Sequence, residues 1–311
     1  MAGEFDRIAR YFAPLAGPEG LGLRDDAAVL TPPDGCQVVL TVDQMLESVH
    51  FLPGDDPALV ARKLLRRNLS DLAAMGASPL GYLLTTALPV ATAEDWLARF
   101  ATGLAVDQEI FGLRLLGGDS SSSRAGIALS ITAIGSVAAG TALTRSGAQP
   151  GDELWVTGTI GDAALGLQAR LGEWVDDEGV LTRRSLLPDP RIGLGLAGIA
   201  SACIDVSDGL VQDLGHIAQA SGLAAVVRAG DVPVSAQAAR FGFEALEIRL
   251  TGGDDYELLL AVPPAKAEAL QAACGAVPVT RIGYFEAGAG VRVLGGDGKE
   301  LAFLRAGWAH F

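Results

Sequence analysis

Asn68-Leu69-Ser70-Asp71-Leu72-Ala73-Ala74-Met75-Gly76-Ala77 closes a helical run that begins near Ala58. At about 100° per residue, Val60, Ala61, Leu64, Asn68, Asp71 and Met75 share one arc, and Arg62, Lys63, Arg66 and Ser70 lie on the other side. Asp71 and Asn68 therefore point where the apolar residues point. A carboxylate buried without a partner is strongly unfavourable or gives up its charge, so Asp71 calls for a counter-charge. Arg67, at the edge of the same arc, is one local answer. The other aspartates of the chain suggest a second.

Working outward from this helix, Phe5 to Phe12 reads as a short amphipathic helix, and Asp25-Asp26-Ala-Ala-Val-Leu30 as a loop running into a strand. Strands are expected at Cys36–Val42, Leu80–Leu88, Leu113–Leu116 and Ile127–Val137, with a helix over Ala93–Phe111. The turn-rich stretch Leu143 to Asp152 marks a boundary. It divides the chain into two mixed α/β domains, 1–143 and 144–311. In the second, strands are expected at Glu153–Val156, Cys203–Val206, Ala224–Arg228, Tyr256–Val262, Val279–Tyr284, Val291–Leu294 and Leu301–Leu304. Helices are expected at about 162–171, 191–201, 210–220 and 265–273, and residues 172–189 read as a polar, mobile loop.

Composition narrows the function classes. The chain has 311 residues, half of them apolar, a formal charge of −14 and 40 glycines. That length favours two cores. The negative charge argues against non-specific nucleic-acid binding, which depends on neutralising phosphates. No apolar run reaches the length of a membrane span, and no targeting segment is visible at the N-terminus. Cys36, Cys203 and Cys274 are scattered and lack metal spacing, as expected of free thiols in the cytoplasm.

Six aspartates recur in one kind of setting. Asp26, Asp43, Asp119, Asp205 and Asp208 sit at strand ends or in loops, and Asp71 points inward from its helix. Each alone reads as a turn former or cap; Asp208, for example, could cap the helix after Gly209. Together, beside small residues that leave room for a bulky anion, they fit a site for divalent cations. Mg²⁺ is commonly shared between one or two carboxylates and substrate phosphates, which points to metal-assisted phosphoryl transfer. Gly193-x-Gly195-x-x-Gly198 spells a dinucleotide fingerprint but follows Pro188 and Pro190 with no strand leading in, so it reads as a small-residue helix face. No P-loop motif is present. His216, mid-helix, reads as packing, and His50, close after Asp43, as a candidate for substrate contact.

The motifs Asp25-Asp26-Ala-Ala, Asp43 with Glu47-x-x-His50-Phe51, Asn68 to Ala77, Gly117-Gly118-Asp119, Leu143-Thr-Arg145-Ser-Gly, Asp205-x-Ser207-Asp208-Gly-Leu and Gly252-Gly-Asp254-Asp-Tyr-Glu-Leu258 occur in that order. In this the chain resembles the thiamine-monophosphate kinase family, within the superfamily of aminoimidazole ribonucleotide synthetase and selenophosphate synthetase. The resemblance spans essentially the whole sequence. It implies a two-domain synthetase-like fold whose N-terminal domain binds ATP and metal and pairs with a second copy through a shared β-barrel. It implies ATP-dependent phosphorylation of thiamine phosphate to thiamine diphosphate with several Mg²⁺ ions. Asp26, Thr41, Asp43, Asp71, Asp119, Asp205 and Asp208 would hold metal, with Asp71, Asp119 and Asp208 central to catalysis. Gly118, Asp119, Arg145 and Ser207 would contact ATP, and His50, Asp254 and Trp308 thiamine phosphate, Trp308 through its aromatic face. Two departures stand out: Val42 replaces a hydroxyl residue before Asp43, and Asp254 replaces a glutamate. The alternatives are another ATP-dependent synthetase acting on a ribonucleotide, or a non-catalytic protein that binds nucleotide or thiamine diphosphate.

Overall fold

The computed structural model describes residues 4–308; His310 lies outside them. The chain forms two compact units, Met1–Leu72 with Ala77–Gly140, and Ala73–Gly76 with Thr141–Phe311.

In the first unit a short helix α1 (Glu4–Arg7) runs into tight turns that extend to Leu23. Strands β1 (Cys36–Leu46), β2 (Ser78–Pro89), β3 (Arg114–Ser123) and β4 (Ala128–Ala138) form a mixed sheet in the order β1-β4-β2-β3. β4 runs antiparallel to β1 and β2, while β2 and β3 are parallel. A parallel pair needs a crossover, which helix α3 (Glu94–Phe111) supplies; helix α2 (Pro57–Ala74) leads into β2. β1 alternates with period two. Thr41, Asp43 and Met45 turn toward α2, and Val38, Leu40 and Val42 turn outward, Leu40 65% and Val42 63% exposed. Val42 thus stands on the opposite face from the acid it precedes.

Helix α2 corrects one expectation. Lys63, Arg66 and Ser70, assigned above to the arc away from the apolar residues, are buried as well. Lys63 reaches the His50 carbonyl, and the side that carries Arg62 and Arg66 faces α3 rather than water. There Arg62 and Arg66 donate to the buried carboxylate of Asp107 at 2.9 and 2.7 Å, and Arg66 lies over the Phe111 ring. Ala27–Leu30 is not a strand. Ala27, Ala28 and Leu30 line a cavity instead of pairing. β3, expected to end at Leu116, continues through the serines to Ser123.

The second unit is built on a six-stranded sheet, β5 (Glu153–Thr157), β6 (Ala202–Asp205), β7 (Ala224–Arg228), β8 (Leu258–Val262), β9 (Val279–Glu286) and β10 (Gly290–Leu294), in the order β10-β7-β9-β5-β8-β6. Only β7 and β10 pair in parallel among these strands. β8 is apolar throughout because both its faces are covered. Leu259 and Ala261 join a cluster with helix α6 (Leu210–Ser221), and Leu258, Leu260 and Val262 join another with Trp155, Leu270 and Cys274. Helix α4 (Asp162–Arg170) and helix α9 (Ala267–Cys274) match the sequence reading.

Three expectations fail here. Residues 191–201 are turns rather than a helix, their apolar side chains packing one by one, with Leu196 buried. Pro190 and the glycines that follow favour turns over a helical ladder. The stretch 172–189 contains a helix, α5 (Val180–Leu186), whose Thr182 amide is held by Asp176 at 2.7 Å. Residues 301–304 make no strand; a Leu294–Glu300 bridge and the Leu301 amide, which donates to the Val293 carbonyl at 2.8 Å, join the chain there to β10. Two short helices the sequence reading did not place, α7 (Ala236–Ala239) and α8 (Leu246–Thr251), precede the Gly252–Leu258 motif.

Candidate active site

The first unit holds a cavity of about 600 Å³, within the range of small-molecule sites. Asp25 and Asp26 enter it from the loop, and Gly118, Asp119 and Ser120 from β3, with Thr85, Thr86 and Thr132 as further polar groups. Gly118 is required by close approach, since a Cβ there would run into the Leu84 carbonyl. Among the described residues the lining carries acids and no base. A polyphosphate could enter such a cavity only in the company of cations.

A second acidic locus lies where β1 meets α2. Thr41 Oγ1 donates to Asp71 Oδ2 at 2.6 Å, and the Asp43 amide donates to Asn68 Oδ1 at 3.0 Å. Arg67 reaches Asp43 Oδ2 at 3.3 Å. The Asp71 carboxylate thus accepts from a hydroxyl, and Arg67, offered above as its counter-charge, also reaches the neighbouring Asp43. Cross-strand register puts Asp119 in one row with Thr85, Ser130 and Gln44. Asp43, one residue before Gln44, alternates to the other face of the sheet. The single cage of acids envisaged from sequence is therefore, within this unit, two separate groupings. No set of three or more His, Cys, Asp and Glu arranged to hold a metal ion occurs among the described residues. Hard carboxylate oxygens in pairs still suit Mg²⁺, which takes one or two protein carboxylates and completes its shell with phosphate and water. His50 closes the turn after β1: its Nδ1 accepts the Leu46 amide at 3.0 Å, and its carbonyl accepts from Lys63.

In the second unit the predicted residues converge on one turn. β6 ends at the buried Asp205, and Ser207 and Asp208 follow. The Asp254 amide donates to the Ser207 carbonyl at 2.9 Å, and the Trp308 amide to the Asp208 carbonyl at 3.0 Å. Two of the three residues expected at thiamine phosphate thus hang from the segment expected at metal and ATP. Asp254 and Tyr256 adopt φ of 72° and 52°, a left-handed conformation uncommon outside glycine and a real outlier for a tyrosine. The conformation is locked on every side. Tyr256 Oη donates to Asp254 Oδ1 at 2.9 Å, the Tyr256 amide to the Val206 carbonyl at 2.8 Å, and the Val206 amide to the Glu257 carbonyl at 2.8 Å. The fully buried Glu257 carboxylate accepts from Arg184, Arg191 and Thr157. Asp255 accepts the Gly161 and Ala163 amides at the start of α4. Arg145 is exposed, in a segment whose Thr144 carbonyl accepts the Cys203 amide of β6.

Sequence reasoning overlooked Asp213. Its Oδ2 accepts the amides of Ser207, Asp208 and Gly209 at 2.9 to 3.1 Å. Burial pushes its carboxyl up to about 7, the charge of Asp208 adding to the effect and the amides opposing it. With those amides taken, the turn offers a ligand its side chains and carbonyls. The signal was present in the sequence: an acid within the apolar period of α6, one turn in, is a capping group. Asp107 carried the same signal on α3, lying on the stripe of Leu97, Phe100 and Leu104.

Comparison with known proteins agrees with this architecture. Residues 24–137 match the family described as AIR synthase related protein, N-terminal domain, and residues 149–296 the corresponding C-terminal domain. The thiamine-monophosphate kinase of Caulobacter vibrioides is 43% identical, covering 99% of this chain and 90% of that protein. The Escherichia coli K12 thiamine-monophosphate kinase is 40% identical over 99% and 98%. Among solved structures, AaThiL complexed with AMPPCP and TMP superposes with a TM-score of 0.80 at 32% identity, covering 99% of this chain and 97% of that one. Thiamine-monophosphate kinase from Stenotrophomonas maltophilia gives 0.82 at 39%, covering 90% and 91%. The hydrogenase maturation protein HypE shares the fold at 21% identity. At these identities over nearly its whole length, the chain belongs to the thiamine-monophosphate kinase family of AIR synthase related proteins.

Proposed function

We infer that this chain transfers the terminal phosphoryl group of ATP to thiamine phosphate, giving thiamine diphosphate and ADP. The observation that carries the reading is the likeness, over 99% of the chain, to a structure holding AMPPCP and TMP. Both reactants are anions, and the acidic loci suit a reaction in which charge must be cancelled. Bound Mg²⁺ would neutralise the phosphates and hold attacking and leaving oxygens in line. Asp26 and Asp119 in the cavity, Thr41, Asp43 and Asp71 at the β1–α2 locus, and Asp205 and Asp208 at the turn are the groups to hold those ions. Gly118, Arg145 and Ser207 position ATP. His50, Asp254 and Trp308 position thiamine phosphate, Trp308 offering its ring to the cationic thiazolium. The acceptor phosphate is largely ionised near neutrality. Transfer is therefore direct, with no phospho-enzyme and no strong base.

The active form is a homodimer working in the cytoplasm. The outward row of Val38, Leu40 and Val42 on β1 is an apolar strip that a second copy would cover to complete a barrel. No helix among the described residues is long and apolar enough to cross a membrane.

The test is direct. Purified protein incubated with Mg-ATP and thiamine phosphate is expected to yield thiamine diphosphate and ADP in equal amounts. ATP binding without product would favour a non-catalytic binding protein, and turnover only with a ribonucleotide would favour a synthetase.

A further inference from the structure

We propose that Gln212, on the first turn of α6, is a positioning residue that latches the C-terminal segment to the acidic turn, fixing Trp308 against Asp208. The inference rests on the thiamine phosphate reading of Trp308 and the metal reading of Asp208, and adds a residue that no motif marks. One side-chain amide makes both connections. Gln212 Nε2 donates to Asp208 Oδ2 at 3.0 Å and to the Trp308 carbonyl at 2.9 Å. The Trp308 amide returns a bond to the Asp208 carbonyl at 3.0 Å. Three hydrogen bonds thus close a ring through Asp208, Gln212 and Trp308. Gly307 makes the approach possible: a Cβ there would sit 2.5 Å from Gln212 Cβ and 2.9 Å from the Asp208 carbonyl oxygen.

The arrangement has a consequence for binding. Trp308 is half exposed, and its backbone is held at both its amide and its carbonyl. Ordering a loose segment when substrate arrives reduces affinity; a segment already latched avoids much of that loss. The same amide occupies one lone pair of the Asp208 carboxylate and so sets the direction in which the remaining ones point. A glutamine can do both because its two N–H groups diverge from one nitrogen. Glutamate keeps the shape but has no donor and sets a second negative charge beside Asp208. Methionine keeps much of the length with neither donor nor charge.

The experiment uses the full chain and the variants Gln212→Met, Gln212→Glu and Gly307→Ala. In hydrogen–deuterium exchange without metal or nucleotide, the peptide ending beyond Trp308 is expected to exchange about tenfold faster in all three. The Ser207–Gly209 amides, held by Asp213, should stay protected. In steady-state assays, KM for thiamine phosphate is expected to rise about five- to thirtyfold in Gln212→Met, the range for losing one or two hydrogen bonds. KM for ATP should rise less than KM for thiamine phosphate in Gln212→Met, and Gln212→Glu should be worse than Gln212→Met. Unchanged tail exchange in Gln212→Met, or equal KM values for thiamine phosphate in variant and wild type, would overturn the latch. Failure of the wild type to phosphorylate thiamine phosphate would instead overturn the reading beneath it, and the exchange data would still decide whether Gln212 holds the tail.

Discussion

Thr41 of β1 donates its hydroxyl hydrogen to Asp71 of α2 across 2.6 Å, joining a strand residue to the helix segment with which the sequence is most concerned. The bond consumes the hydroxyl proton and leaves the Thr41 oxygen with lone pairs directed away from Asp71. A pair of this kind is stable without a cation and able to receive one.

Asp71→Asn keeps the acceptor for Thr41 and removes the charge. Turnover of thiamine phosphate is expected to fall at least about a hundredfold, with the melting temperature within about 4 °C of wild type. Calorimetry beside a coupled ADP assay checks both. A variant that unfolds while the wild type is stable without metal would make Asp71 a structural acid.

Asp107 has a different task. It is fully buried between α2 and α3 and answers Arg62 and Arg66. Asp107→Ala leaves two guanidinium groups short of a partner and is expected to cost about 3–5 kcal/mol, read from urea unfolding. A loss below about 1 kcal/mol would mean that water or another acid replaces it.

The outward strip on β1 predicts an assembly. Leu40→Asp sets a charge between Val38 and Val42 and is expected to convert a wild-type dimer to monomer in light scattering, with circular dichroism unchanged. A wild type that is already monomeric at micromolar concentration would remove the role assigned to this strip.

Asp255 gives a pH dependence with a definite sign. Burial pushes its carboxyl up to about 8, against the opposing amides of Gly161 and Ala163, whereas the unfolded chain titrates near 3.9. The fold prefers the protonated form. Its contribution is therefore whole below about pH 4 and is lost as pH rises through about 8. In Asp255→Asn that component is absent, so the urea midpoint should decline less between about pH 5 and 8 than in wild type. Parallel declines would show that Asp255 does not titrate in this window.

What could be read from sequence follows from the reach of each interaction. The strands of both sheets and helices α2, α3 and α6 carry periodic apolar patterns, and those patterns are local. The likeness of ordered motifs likewise needed no tertiary knowledge. The second buried side of α2 could not be read, because Arg62 and Arg66 are polar in sequence and inward only through Asp107, 41 residues beyond Arg66. The turns of 191–201 were misread as a helix because the spacing of Ile192, Leu196 and Ile199 mimics one, although Pro190 and three glycines oppose it. The acids stand out in sequence as a set of candidates, but their division between two faces of a sheet is a matter of register, which composition does not reveal. Asp213 and Gln212 escape a reading of the sequence because their partners are backbone amides, a carboxylate and a tail 96 residues beyond Gln212.

The alternation along β1 also governs how the strand can change over evolutionary time. Thr41 and Asp43 occupy one parity and Val38, Leu40 and Val42 the other. A single-codon insertion or deletion between Cys36 and Leu40 would exchange the two sets, sending the acid outward and the valine inward. Gains and losses of length in this strand are thus restricted to even steps, or to a bulge that restores the count.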